Sequence, residues 1–497
     1  MTICKKFLAS FFICLFFTLA SAFPALWSGN ELMYFGLTNN SDVSSDIAGT
    51  AFFETSNHRL FFDLIVGSLI NILGFDQAKF FLGMLIWFGY GLSIALLSKN
   101  FEINPFLIGL ILSIFLGTQS LLGGEWLFGT VEPKTLAYPL VILAFSFAMV
   151  QKWVTSFILV LFSICFHFLV GSFWGLSIML LFVFDKLRFR NVMLIAIVFI
   201  FFGILTAYIL LKDNASIIEV EGIATSIAEI YGPFRHSHHI APFSEGIREF
   251  MKTWLPGFLG HFSLAVIILF SLYQSPNKYV NVGKLLVFLN LYIVLALIIS
   301  YIDRDTHIFA QLYMFRPSSL IFLISTMFIS INFNNSINKN NRLFYQLTLF
   351  LISLNLYFNH LGQFASSLVK IMGSETRYEA SLTMNQEEII NWLEINTNLN
   401  EIVLIDSFDE SNPFFLGIEI FKQRKTYVNW KLIPTNKIDM IEWYKRVIIR
   451  KDALDGNCKN FKLVSAKYVI HQTKDNISNQ CLEPVLKNKD YLISKVI

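Results

Sequence analysis

The run WVTSFILVLFSICFHFLVGSFWGLSIMLLFVF, residues 153–184, contains no Asp, Glu, Lys or Arg. A helix needs about 20 residues to cross a hydrocarbon core roughly 30 Å thick. The run is long for one such helix and short for two. The basic hexapeptide DKLRFR at 185–190 follows it and suits a cytoplasmic loop. The run is therefore read as two spans, 153–171 and 172–184, meeting at Gly171.

Working outward, the same apolar character recurs. Hydrophobic residues make up 55% of the 497 and charged residues only 15%, with a mean hydropathy of +0.58. Eleven spans are expected: 7–26, 80–98, 105–122, 136–150, 153–171, 172–184, 191–211, 256–273, 285–302, 317–333 and 344–360. The fold class is thus mainly α, a polytopic membrane protein, with residues 1–360 forming the transmembrane domain. Lys5 and Lys6, the run Phe7 to Leu19 and then Ala20-Ser-Ala22 fit either a cleavable signal peptide or an uncleaved first span. The spans that follow favour the second. The net charge of +3 is too small to suggest nucleic acid.

Orientation follows from the basic residues. Lys5, Lys6, Lys99, Lys152, Lys186, Arg188, Arg190, Lys278, Lys284, Lys339 and Arg342 crowd the short loops of one side, which is read as cytoplasmic. The long loops 27–79, 123–135, 212–255 and 303–316 then face outward, and apolar residues 60–75 within the first form an interfacial or re-entrant helix. Residues 361–497 also lie outside and alternate strand-like and helix-like stretches. They are read as a soluble α/β domain with a mostly parallel sheet, in which Asn385 caps a helix at 386–393. Cys458 and Cys481 in this tail are either a disulfide or two free thiols.

The outward loops hold the residues with chemical potential. Arg235, His236, His238 and His239 cluster after Gly232-Pro233. A guanidinium forks onto phosphate oxygens and imidazoles add donors or a base, so the cluster suits an anionic, phosphate-linked lipid. Zinc binding and a merely solvated juxtamembrane loop are the competing accounts. Asp42, Asp46 and Glu54 share a face if helical, where a carboxylate serves as general base or holds a divalent metal on a phosphate. An ordinary acidic loop explains them equally well. Glu132 and Lys134 flank Pro133 at the mouth of a span, and Arg304 and Arg316 sit in the last outer loop. Charges there are costly unless used, although helix capping and internal salt bridges are sufficient structural reasons. His167 lies within the quoted run, as a ligand-facing residue or as a histidine bonded to a neighbouring helix.

Several of these stretches together carry a resemblance. Glu132-Pro-Lys-Thr-Leu-Ala-Tyr138, His167, Arg235-His-x-His-His239, Phe421-x-x-Arg424, Val428-Asn-Trp-Lys431 and Trp443-Tyr-x-Arg446 resemble a family of uncharacterised bacterial multi-spanning membrane proteins. That family is itself similar to GT-C-type glycosyltransferases. The resemblance implies transfer of a sugar from a polyprenyl-phosphate carrier to a glycan, lipid or protein on the outer face of the bacterial inner membrane. One of Asp42, Asp46 or Glu54 would be the base or metal ligand. Glu132, Lys134, Arg235, His236, His238, His239, Arg304 and Arg316 would contact the substrate. The first loop departs from the family pattern in lacking an Asp-x-Asp pair. Rival readings are a glycan polymerase or ligase of another fold, and a transporter of lipid-linked saccharide; no internal repeat supports the transporter.

Overall fold

A computed structural model of the chain describes residues 3–23, 26–38, 60–186, 208–209, 211–274, 279–335, 342–406, 412–434, 436–473 and 480–497. The fold is mainly helical, with a small sheet domain towards the C-terminus. Five helices are long and apolar enough to cross a membrane: Cys4–Ala22, Phe75–Asn100, Phe168–Lys186, Ile247–Tyr273 and Val280–Ile302. Shorter apolar helices are Phe61–Leu73, Pro105–Thr118, Pro133–Met149, Trp153–Phe166 and Ser318–Ile331. Together they mark a membrane protein. Leu85, Phe88 and Leu92 recur at helical spacing on one face and are exposed, as side chains bathed in lipid should be. Most of the stretch expected to span 191–211 lies outside the described residues, as does loop segment 39–59.

Two compact units make up the chain. One comprises Met1–Phe23, Leu82–Ser216 and Ala228–Gln363; the other comprises Pro24–Phe81, Ile217–Ile227 and Phe364–Ile497.

In the first unit, helix Pro133–Met149 is central and buries most of its side chains. Proline at its first position lacks only a donor that would be unpaired anyway. Glu132 stands before it, its backbone N–H donating to the Thr135 hydroxyl at 3.1 Å. Helix Trp153–Phe166 returns against it. The Ser156 hydroxyl donates to the Ala144 carbonyl (2.7 Å) and the Ser163 hydroxyl to the Ala137 carbonyl (3.2 Å), so serines join the two helices where apolar contact alone gives little selectivity.

The quoted run does reverse, but not at Gly171. The helix ends at Phe166, His167 is extended (φ −151°, ψ 102°), and the next helix starts at Phe168. Gly171 then lies against Ile164 and Gly175 against Val160, the pattern of an antiparallel hairpin. A Cβ on Gly171 would sit 2.4 Å from the Ile164 backbone nitrogen, so this glycine permits the close crossing rather than making the turn. His167 is consequently at the apex of a hairpin and not in mid-span.

The second unit carries a sheet of order β4-β3-β5-β7-β6, with β3 (Ile402–Asp406), β4 (Lys425–Thr426), β5 (Ala466–Gln472), β6 (Leu482–Lys487) and β7 (Tyr491–Val496). A two-stranded ribbon, β1 (Ile218–Val220) with β2 (Ile223–Thr225), is also part of this unit. The larger sheet is mixed rather than mostly parallel: β3 pairs in parallel with β4 and β5, while β5–β7 and β6–β7 are antiparallel. Strand β6 is an edge strand holding Pro484, whose missing N–H is tolerable only there. Thr383, not Asn385, caps helix Met384–Asn396, its hydroxyl accepting from the Gln386 N–H. Cys458 and Cys481 are joined by a disulfide.

Gly171→Leu should force the hairpin apart and lower stability by about 3 kcal/mol, the upper end for overpacking. Gly117→Ala, where nothing lies within 4 Å, should cost nothing. Thermal unfolding of both variants in detergent checks this; equal midpoints would contradict the hairpin.

Candidate functional site

The first unit brings distant loops together at one face. Helices Pro105–Thr118 and Trp153–Phe166 end there, and Pro133–Met149, Phe168–Lys186 and Ser318–Asn335 begin there, because the chain alternates direction through short connections. At this face Glu125, 3% exposed, accepts from Arg316 Nε on one oxygen (3.1 Å) and from Lys134 Nζ on the other (3.3 Å). Lys134 also lies 3.2 Å from Glu132 and 3.8 Å from the centre of the Trp126 ring. Arg316 Nη1 donates to His167 Nε2 at 3.0 Å, and the guanidinium stacks 4.1 Å over the Tyr313 ring. A guanidinium only donates, so His167 presents a lone pair and is neutral in this arrangement.

The electrostatics follow from burial and sign. Burial pushes the Glu125 carboxyl up, but Lys134 and Arg316 pull harder in the other direction and hold it down to about 2. For Glu132 burial prevails over Lys134, and Glu125 nearby adds to it, so its carboxyl is raised above the usual range. Removing either cation would leave one oxygen of the buried Glu125 carboxylate without its partner, a loss of up to about 3–5 kcal/mol.

The Arg-His stretch folds as a π-helical turn, Ile230–Arg235, followed by a short helix, His236–Ile240. His239 Nδ1 donates to the Gly123 carbonyl at 2.5 Å, which brings its ring beside the Glu125 loop. Burial pushes His239 down to about 4 despite the pull of Glu125. His236 Nδ1 donates to the Tyr231 carbonyl (2.8 Å), and burial together with Arg235 holds it well below the usual range. Arg235 is buried, and its charge is felt by His236 and Tyr313. His238 is exposed, its ring tilted against that of His239 with the centroids 4.0 Å apart. Arg304 stands apart: it is half-exposed, 3.8 Å from Asp305 and 4.4 Å over the Tyr301 ring.

The structure thus joins Glu132, Lys134, His239 and Arg316, and places Arg235 and His236 alongside. It adds Glu125 and draws in the candidate His167, whose partners lie 191 and 149 positions away in sequence. Asp42, Asp46 and Glu54 lie outside the described residues. Among the described residues no group of three His, Cys, Asp or Glu side chains is arranged to hold a metal ion.

Beside the cluster is a cleft of about 140 Å³. Tyr138, Leu169, Val170, Phe173, Trp174, Tyr292, Leu312, Tyr313 and Arg316 are among the residues that line it. On two of its lining residues, the Tyr138 hydroxyl and Trp174 Nε1 are buried out of reach of water and have no hydrogen-bond partner among the described residues. Each such atom costs about 1–3 kcal/mol until something pairs with it.

A family model for a domain of unknown function (DUF6798) matches residues 385–448. This stretch belongs to the second unit. It includes the fully buried Glu419, which accepts from Asn429 (3.1 Å), and Trp443 Nε1 donates to the Asn429 carbonyl (2.9 Å). No curated protein matches the chain.

The histidines give a pH prediction. His239 is depressed in the folded state, so the unfolded chain binds the extra proton between pH 6.5 and about 4. The stability contribution is complete above pH 6.5 and is lost as pH falls towards 4, by about 3 kcal/mol for this residue. His239→Gln should flatten the acid limb of an unfolding-midpoint profile recorded from pH 7 to 4. An unchanged slope would show that His239 is not buried as described.

Proposed function

We propose that the chain is a membrane glycosyltransferase of the GT-C kind, taking a sugar from a polyprenyl-phosphate carrier. The observation that carries this reading is the buried Glu125–Lys134–Arg316 cluster beside an aromatic cleft, at the mouths of apolar helices. Cations so placed suit a leaving phosphate, and the apolar lining suits the lipid to which it is attached. In the reaction, the bond from the anomeric carbon to the phosphate oxygen breaks and its electron pair stays on the phosphate. The acceptor oxygen bonds to that carbon, and its proton passes to a carboxylate among Asp42, Asp46 and Glu54. Lys134 and Arg316 bind the phosphate, and Glu125 orients them. The neutral His239, with Nδ1 committed to Gly123, leaves Nε2 as an acceptor near the site.

The remaining features belong to the same proposal. They are eleven spans in the bacterial inner membrane, a cytoplasmic N-terminus, a transmembrane domain over 1–360, and an extracytoplasmic domain over 361–497 acting near a glycan, lipid or protein acceptor. The Cys458–Cys481 disulfide supports the outer location of the tail, since such bonds persist in oxidising compartments.

The test is release of polyprenyl phosphate from synthetic polyprenyl-phosphate-hexoses by the full chain in proteoliposomes, with envelope acceptor added. Arg316→Ala should lower turnover roughly 100-fold or more, and one of Asp42→Asn, Asp46→Asn and Glu54→Gln should abolish it. Wild-type release no faster than that of Arg316→Ala would sink the reading.

A further inference from the structure

A second cleft, of about 260 Å³, lies wholly within the second unit. That is several times the roughly 30 Å³ share of a water molecule, room for a headgroup rather than a lone ion. Asp76, Gln77 and Phe80, from the first turns of helix Phe75–Asn100, form one wall. Ile371, Glu375 and Arg377 contribute to the other, where helix Arg342–Met372 ends and a short helix capped by Thr376 begins. Gln77, Phe80 and Glu375 are exposed, and Asp76, Ile371 and Arg377 are half-buried, so the walls are within reach of a ligand.

Asp76 is set in place by neutral donors. Its Oδ1 accepts from Trp27 Nε1 (2.8 Å) and its Oδ2 from the Arg377 backbone N–H (3.0 Å). Each oxygen keeps a further lone pair. The nearby Lys79 is buried and committed to Glu31 at 2.7 Å, and these two charges cancel. Of the remaining charges on the walls and in the adjoining chain, Asp76, Glu375 and Glu379 are negative and Lys370 and Arg377 positive, which leaves one net negative charge. That balance repels a headgroup that is only anionic and attracts one carrying an ammonium. The Arg377 guanidinium, 5.5 Å from the centre of the Phe80 ring, supplies a fork for phosphate oxygens. Phe80 is exposed, and so are its neighbours in the chain to the two walls, Phe81 and Met372. Helix Phe75–Asn100, which begins at the cleft, is long and apolar enough to cross a membrane. A headgroup held here has apolar surface beside it for acyl chains, which a free aminophosphate would leave bare.

We propose that this cleft seats the headgroup of a phospholipid bearing a primary ammonium. The ammonium donates to Asp76 and Glu375, the phosphate accepts from Arg377, and an acyl chain passes over Phe80. A trimethylammonium has no proton to donate, and a glycerol headgroup leaves the negative charge of the walls unbalanced, so both are selected against. The site is independent of the sugar transfer proposed above and belongs to the other unit.

The experiment is native mass spectrometry of the full chain, delipidated in detergent. It is titrated with the dihexanoyl forms of phosphatidylethanolamine, phosphatidylcholine and phosphatidylglycerol, and with free phosphoethanolamine. Wild type should bind the ethanolamine lipid at least about tenfold more tightly than each of the other three probes. Asp76→Asn should weaken it about tenfold, the usual consequence of losing a hydrogen bond to a charged group. Glu375→Gln, at an exposed position, should weaken it roughly two- to fivefold. Glu375 has no hydrogen bond or ion pair among the described residues, so its variant tests the site even where Asp76→Asn fails to fold. Both substitutions should narrow the gap to phosphatidylglycerol. Phosphatidylglycerol or phosphatidylcholine bound as tightly as the ethanolamine lipid overturns the inference, as does unchanged binding in both variants or binding of no probe. Phosphoethanolamine bound as tightly as the lipid overturns the lipid and leaves a soluble aminophosphate as the ligand.

Discussion

Everything at the helix-mouth face depends on Glu125 being held between Arg316 and Lys134. A carboxylate buried in an apolar bundle is expensive unless both its oxygens are paired and the paired groups are themselves fixed. Here the fixing is visible. Arg316 is pinned by His167 and stacked on Tyr313, and Lys134 rests on the Trp126 ring. Glu125 thereby ties the 123–132 loop to two helix starts, and that convergence creates the cleft.

Uncharged polar chains reinforce the same convergence beneath the cluster. The fully buried His261 reaches Asn290 at 2.8 Å and Ser318 at 3.2 Å, and Ser318 meets Ser120 at 3.0 Å. Ser318 is two residues beyond Arg316, and Ser120 opens the loop that carries Glu125. Both arms of the ion cluster are therefore anchored to one hydrogen-bonded column between helices, where unpaired polar groups would be destabilising.

Much of the helical layout was legible because membrane helices announce themselves by length and apolarity alone. The position of Glu132 and Lys134 at the mouth of a helix was legible too, because a proline between them suits a first helical position. The reversal at His167 was not. An unbroken apolar run looks the same whether it bends at a glycine or at a histidine, and Gly171 is spent on a close helix crossing instead. Glu125 and Arg316 meet only through tertiary contact across 191 positions, which no local spacing records. In the second unit, strand β6 escaped notice because an exposed edge strand with a proline shows little alternation, and Thr383 displaced Asn385 as the cap through its pairing with Gln386.

The most direct measurement of the central claim is an electron cryomicroscopy map of the full chain in nanodiscs, prepared with a farnesyl phosphodiester. The account predicts density for the farnesyl phosphate within hydrogen-bond reach of Arg316 or Lys134, with the Glu125 carboxylate still beside both cations. Phosphate density elsewhere, for example beside Arg304, or Glu125 turned to solvent away from both cations, would contradict it.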